Sequence, residues 1–289
     1  MSESVSSATT GVIHDIGYQR YTGARLGRGY RARSLYTHSL RTAFGLGRGV
    51  KAKLFPWAVV AIVTLAAVFI AALESQSGEQ LSTYPEFVDA MGFVVMLLLA
   101  SVAPELVSRD LRARVLALYF ARPVRRDDYA LVKYAALVSA MFLLLGGPQL
   151  IMFLGAAFSV DGVGEFRRAV TDLLGGWFYT ALFSLVMSAV ALVIACFTGR
   201  RAFAAGGIVA VFLVTIPVSG ALSLLGGTAG HLAGVINPAW IVSGVGAWLL
   251  DHESPIEIGN TGPAYAVAAV ALVAACLAVL LARYRRVEQ

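Results

Sequence analysis

Five stretches of this chain contain no Asp, Glu, Lys, Arg or His: 56–73, 135–158, 173–198, 202–225 and 263–282. A further apolar run lies at 87–104. A helix needs about 20 mostly apolar residues to cross the ~30 Å hydrocarbon core of a bilayer. Lipid offers backbone N–H and C=O groups no partners, so a single chain crosses it as helices that satisfy those groups internally. The six runs are therefore expected to be six transmembrane helices of an all-α membrane protein. Only 14% of the 289 residues are charged, against roughly 25% in soluble domains. The six runs and their short connections consume most of the chain and leave no room for a separate soluble catalytic domain. The run 238–250 is too short to cross and is expected to lie at, or dip into, the outer surface.

Basic residues are distributed asymmetrically. With six spans, 21 of the 23 Lys and Arg residues fall on one side, and only Arg167 and Arg168 fall on the other. That other side carries Glu74, Glu79, Glu86, Asp161, Glu165, Asp251, Glu253 and Glu257. Positive charge marks the cytoplasmic side, so both termini are expected there, in a multi-pass protein of the plasma membrane. The net charge of +6 is thereby explained without nucleic acid as a partner. Cys196 and Cys276 both fall within apolar runs and read as small hydrophobes. The first 55 residues lack the apolar core of a signal peptide. Trp57 and Tyr284 fall at the expected cytoplasmic boundary, and Tyr84, Trp177, Trp240, Trp248 and Tyr265 at the outer one. Aromatic belts use such residues, and ordinary packing does so as often.

The segment before the first span divides in two. Residues 1–12 are rich in Ser and Thr. From Arg31 onward, Tyr36, Leu40, Ala43, Gly47, Val50 and Leu54 recur at helical steps, with Arg33, Arg41, Arg48 and Lys51 around the rest. A basic amphipathic helix of this kind lies on a membrane surface. Gly45, Gly47 and Gly49 weaken it, and a break is expected there. The organisation is thus a tail and interfacial helix at 1–55, a six-helix domain at 56–282 and a tail at 283–289.

Chemistry-bearing motifs are sparse. Without a Gly-Lys pair the chain has no P-loop, and His252-Glu253 is not followed by the second His of a zinc site. His14, His38, His231 and His252 are scattered and read as surface or interfacial histidines. Ion-coupled carriers keep ionisable groups at mid-membrane. The charge-free runs therefore argue that any energy for transport comes from outside the membrane region.

The connection at 104–134, PELVSRDLRARVLALYFARPVRRDDYALVKY, is unlike a solvated loop. Val107, Leu111, Val115 and Leu118 share a helical face, and Glu105–Arg109 and Asp110–Arg114 are i,i+4 pairs. Pro123 interrupts the pattern, and Asp127 and Asp128 then suit the first turn of a second short helix. The spacing predicts helix, break, short helix and return into the third span.

These residues resemble the membrane subunit of ATP-binding-cassette exporters of the drug, lipid and polysaccharide type. Glu105 and Arg109-Asp110 match the start of that family's pattern, with Asp for Glu. Pro123 and Arg126 match its Pro-x-x-Arg, and Lys133 follows at the expected seven residues. Arg112-Ala113 stands where Gly-Thr is usual, Tyr119-Phe120 replaces a leucine pair, and Val132 replaces a Gly. The opening IHDIGYQRYTGARLGRGY is similar to such permeases of high-GC Gram-positive bacteria.

The resemblance implies six spans, an N-terminal elbow helix, a cytoplasmic coupling helix between spans two and three, and short outer helices between spans five and six. It also implies that Arg122, Pro123, Arg125, Arg126, Asp127 and Asp128 form the turn docking on a separate ATPase. Glu105, Arg109 and Asp110 would lock span two to the elbow. Spans two and five would line the cargo path, making Val94, Met96, Phe203 and Phe212 candidates. In 226–262, Gly226, Gly230 and Gly234 recur every four residues, and Asn237 can cap a helix with Pro238 at its first position. Trp240, Gly244 and Trp248 are placed on one face, as an outer gate or rim or, equally, an ordinary packing element of the outer leaflet. The implied partners are two ATPase subunits, a second permease subunit, identical or related, and lipid. ATP and magnesium would bind the ATPase, with no cofactor and no catalysis in this chain. Two other readings are an integral-membrane lipid-modifying enzyme, for which the residues offer no ligand spacing, and a structural or sensory membrane protein, which leaves the charged connection without a role.

Overall fold

The computed structural model describes residues 27–78, 80–107, 125–158 and 162–286. Among these the regular structure is entirely helical. In chain order the helices are α1 (Arg28–Ala43), α2 (Val50–Ser77), α3 (Tyr84–Ala90), α4 (Gly92–Leu106), α5 (Arg126–Phe158), α6 (Val163–Phe197) and α7 (Arg201–Ser223). A short α8 (Gly227–His231) and a 3-10 turn at Ala233–Ile236 lead into α9 (Pro238–Leu249) and the final α10 (Gly262–Arg285).

Five of these helices (α2, α5, α6, α7 and α10) are long and apolar enough to cross a bilayer. The pair α3 and α4, bent by 56°, makes a sixth if it is one span. The chain therefore has the make-up of a multi-pass helical membrane protein. The bend falls at Met91-Gly92, where α3 ends and α4 begins. The start of α3 is fixed by a capping box: Thr83 Oγ1 accepts from Glu86 N–H, and Glu86 accepts from Thr83 N–H at 2.7 Å.

The core is built on α5 and α6, which pack along each other. Several polar groups bridge or brace the two helices, while Gln149 Oε1, Ser184 Oγ and Ser188 Oγ are buried with no partner among the described residues. Gln149 Nε2 donates to Thr180 Oγ1 at 2.8 Å, Trp177 Nε1 to the Gly146 carbonyl at 3.2 Å, and Tyr134 Oη to the Leu185 carbonyl at 3.0 Å. Around this pair sit α2, α4, α7 and α10. In α2, α7 and α10 only 28%, 22% and 17% of the apolar window is buried within the chain, so broad apolar faces point outward.

The amphipathic N-terminal pattern divides. α1 packs along α5, with Ala43 buried, Leu40 half-buried and Tyr36 Oη donating to Ser139 Oγ at 2.8 Å. The expected glycine break is present: Gly45 and Gly47 take positive φ (67° and 81°), a region that disfavours side chains. Val50 and Leu54 then belong to α2 and face outward. They are thus separated from the stripe to which helical spacing assigned them.

The break-and-return expected after Pro123 also differs. From Arg126 the chain forms one uninterrupted helix to Phe158, so Asp127 and Asp128 open the long helix itself. α4 ends at Leu106, and the connection 108–124 lies outside the described residues.

Several residues assigned to aromatic belts are packing residues instead. Tyr84, Tyr265 and Tyr284 are buried, whereas Trp57 and Trp248 are exposed. Tyr265 fills a slot between Gly234 and Gly244, where a Cβ on either glycine would overlap the ring.

Candidate functional site

Two sets of polar side chains stand out, at opposite ends of the bundle. The first lies where α1 and α5 begin and α10 ends. Asp128 accepts from two guanidinium nitrogens of Arg28, Nε to Oδ2 at 2.7 Å and Nη2 to Oδ1. Asp127 accepts two from Arg285, both at 2.9 Å. Arg126 Nη1 donates to the Arg285 carbonyl at 2.7 Å. Forked guanidinium–carboxylate pairing fixes direction as well as distance. Below these pairs, the buried Lys133 ammonium lies 5.3 Å from the centre of the Tyr129 ring. That ring meets Tyr284 edge-on at 5.2 Å. The first turn of α5 is thereby tied to both the first and the last helix.

The two aspartates precede the apolar part of α5, which begins at Ala135. Hydrogen bonding to Arg28 holds the Asp128 carboxyl below its ordinary range, and Arg285 does the same for Asp127. Beside them, Glu105 at the end of α4 pairs with Arg48 at 2.8 Å and with Arg201. Arg48 sits in the turn between α1 and α2, and Arg201 opens α7, so one carboxylate joins three elements.

Of the residues assigned to ATPase coupling, Arg125, Arg126, Asp127 and Asp128 are described. Arg126, Asp127 and Asp128 make the contacts above, and Arg125 is exposed just ahead of the helix. Arg122 and Pro123 lie outside the described residues. Of the residues assigned to the span-two lock, Glu105 meets the turn after α1, while Arg109 and Asp110 lie outside.

The second set lies toward the other end of the bundle, one turn before the bend between α3 and α4. Asp89 is separated from Glu105 by 16 residues, about 20–25 Å along the helix. Tyr179 Oη of α6 donates to Asp89 Oδ1 at 2.6 Å, and Ser243 Oγ of α9 donates to Oδ2 at 3.0 Å. His252 Nε2 lies 2.8 Å from Oδ2, its ring edge-on to Tyr179 with centres 5.3 Å apart. The geometry depends on α9. Asn237 caps that helix by accepting from Ala239 and Trp240 N–H, and its Nδ2 donates to Thr215 of α7 at 2.9 Å.

A cavity of about 240 Å³ opens beside Asp89, between α4, α6, α7 and α9. Met96, Phe212 and Trp240 line it together with Phe93, Phe183 and Ser243. Three residues assigned to the path and the gate therefore meet in one place. The other four do not line it: Val94 packs partly against the core, and Phe203 is exposed beside Arg200. Gly244 and Trp248 turn toward α10, where they pack on Tyr265 and Gly262. Trp240 thus lines the cavity, while the two residues grouped with it pack on α10.

Sequence reasoning missed Asp89, Tyr179, Ser243 and His252. Five apolar runs are free of charge, but the run 87–104 contains Asp89. An ionisable residue within a span is by default a functional candidate, and that signal was present. Of the two readings of His252, surface or interfacial, the surface one does not hold: it is buried against Asp89 because the loop after α9 folds back onto the cluster, with His252 N–H on the Gly246 carbonyl at 3.4 Å.

No protein-family model matches the chain, and no curated protein matches it in sequence.

Proposed function

We propose that this chain is the permease subunit of an ATP-driven exporter of the ATP-binding-cassette type, moving an amphipathic, drug-like, lipid or polysaccharide cargo outward. The observation that carries the reading is the tying of the first turn of α5 to both α1 and α10. The charged connection 108–124 ends on a point joined to the first and last helices, so a push on it would move the bundle. In this reading α1 is the elbow helix and the connection up to Asp128 is the coupling element. α8 and α9 form the outer rim, and both termini are cytoplasmic, as the arginine asymmetry requires. The outward apolar faces of α2, α7 and α10 meet lipid and a second permease subunit. Two ATPase subunits hold ATP and magnesium.

Arg125 is the sharpest probe, because it is exposed and is a member of neither forked pair, its charge reaching Asp127 and Asp128 only through space. Arg125→Glu is expected to insert normally and to lose co-purification with an ATPase encoded beside this chain. Undiminished binding and transport would remove the proposal.

The Asp89–His252 pair favours a second reading, a carrier driven by an ion gradient, because it places ionisable groups beside a cavity. In that case transport would proceed without any ATPase.

A further inference from the structure

The carboxylate of Asp89 is surrounded by donors none of which is a Lys or an Arg. Tyr179 and Ser243 are hydroxyls. His252 meets Oδ2 through Nε2, and its Nδ1 is buried with no hydrogen-bond partner among the described residues. With Nε2 as the donor, the three groups present three hydrogen bonds to one carboxylate, a group that only accepts when ionised. Among the described residues no Lys or Arg lines the cavity it faces. A carboxylate has about four acceptor positions, and three are occupied here, leaving one on Oδ1.

Apart from Ser243, which donates to Asp89, and Asn237, which is engaged in the cap of α9 and with Thr215, the wall is mainly apolar and aromatic: Phe93, Phe183, Phe212 and Trp240, with Met96 and Met187. A hydrated metal ion is poorly served, since calcium takes about 6–8 oxygen ligands and this cavity offers one carboxylate. An anion is repelled, and a neutral apolar molecule leaves the charge uncompensated. Aromatic faces and one carboxylate together recognise a weakly hydrated organic cation.

We infer that the cavity between α4, α6, α7 and α9 binds a small lipophilic organic cation, its ammonium head at Asp89 and its apolar body against Phe212 and Trp240. The binding site stands on the cavity itself; that its occupant is cargo rests on the transport reading above.

The experiment uses the full chain in lipid nanodiscs, with no ATPase present, and two probes of one shape: phenyltrimethylammonium and its uncharged isostere tert-butylbenzene. The cation is expected to bind saturably and to protect Ile216→Cys, on a background with Cys196→Ser and Cys276→Ser, from a thiol reagent. The isostere is expected not to protect. Asp89→Asn, which keeps the shape and an acceptor oxygen, should weaken cation binding by about tenfold or more, and Trp240→Ala by about threefold to tenfold. Equal protection by both probes, or no saturable binding by the wild-type chain, would overturn the site. So would unchanged affinity in both variants. If Asp89→Asn does not fold, Trp240→Ala and the probe pair on the wild-type background still decide the matter. Failure of ATP-driven transport with intact cation binding would instead overturn the transport reading and leave the site standing.

Discussion

The two ends of the bundle solve the same problem, that of holding distant helices together, by different physics. At the end where α1 and α5 begin, arginines reach across 100 and 158 residues to aspartates. Arg28 and Arg285 are largely exposed. Such pairs are screened by salt and contribute little energy each, but they are directional. Toward the other end, Asp89 is held by hydroxyl and imidazole donors, and the helices meet by glycine against aromatic ring. There the cost of change is steric and desolvation cost, which salt does not reach. One end is suited to receiving a force and passing it on. The other is suited to holding a shape around a cavity.

The largest effect that sharpens this contrast is expected at Gly244. A side chain there would overlap the Tyr265 ring near its anchored end, so the ring cannot swing clear. Gly244→Val should cost about 3 kcal/mol, read as a fall in the melting temperature of the purified chain. Gly147, in the middle of α5, has nothing within 4 Å of the point where a methyl group would sit. Gly147→Ala should be neutral or stabilising by up to about 1 kcal/mol. If both variants behave alike, packing does not hold this end.

Next comes Asp89→Ala, which strips the acceptor from Tyr179, Ser243 and His252 together. A loss of about 1–3 kcal/mol is expected, and it should be the same in low and high salt. A loss that disappears at high salt would place this cluster with the exposed pairs and break the comparison.

Smaller still are Arg28→Ala and Arg285→Ala. Each should lower the melting temperature slightly at low ionic strength and not at all in about 1 M salt. Their clearer effect should be a looser α1 or α10, seen as faster amide exchange in the first turn of α5.

The smallest effect is on pH. Asp127 and Asp128 are held below the ordinary carboxylate range by their arginines. Their contribution is therefore complete above the unfolded value and is lost as the pH falls through the lower, folded one. Exchange protection at the start of α5 should be constant from neutral pH down to about pH 4 and fall below it. A loss already at about pH 6 would implicate a different group.

Much of the fold was legible in the residues. The apolar runs predicted the long helices, because lipid permits few alternatives. Asn237-Pro238 predicted the start of α9, because a side-chain cap and a ring with fixed φ leave little freedom. The glycines at 45 and 47 predicted the turn before α2. What was not legible depended on partners far away in sequence. Asp127 and Asp128 read as first-turn acids of a short coupling helix, since nothing local points to Arg28 or Arg285. Trp240, Gly244 and Trp248 step by four residues, and the drift of a helix over two such steps turns the first toward the cavity and the others toward α10. Asp89 was legible and overlooked, because a run that is otherwise apolar hides a single carboxylate.

The most direct measurement tests the proposed transport: flux through the reconstituted chain, compared with and without a P-loop ATPase that co-purifies with it. Vesicles loaded with phenyltrimethylammonium are followed under ATP with no pH gradient, and under a pH gradient with no ATP. The account predicts movement only when the ATPase and ATP are both present, and its loss in Arg125→Glu. Movement driven by the pH gradient in the chain alone, abolished by Asp89→Asn, would contradict it.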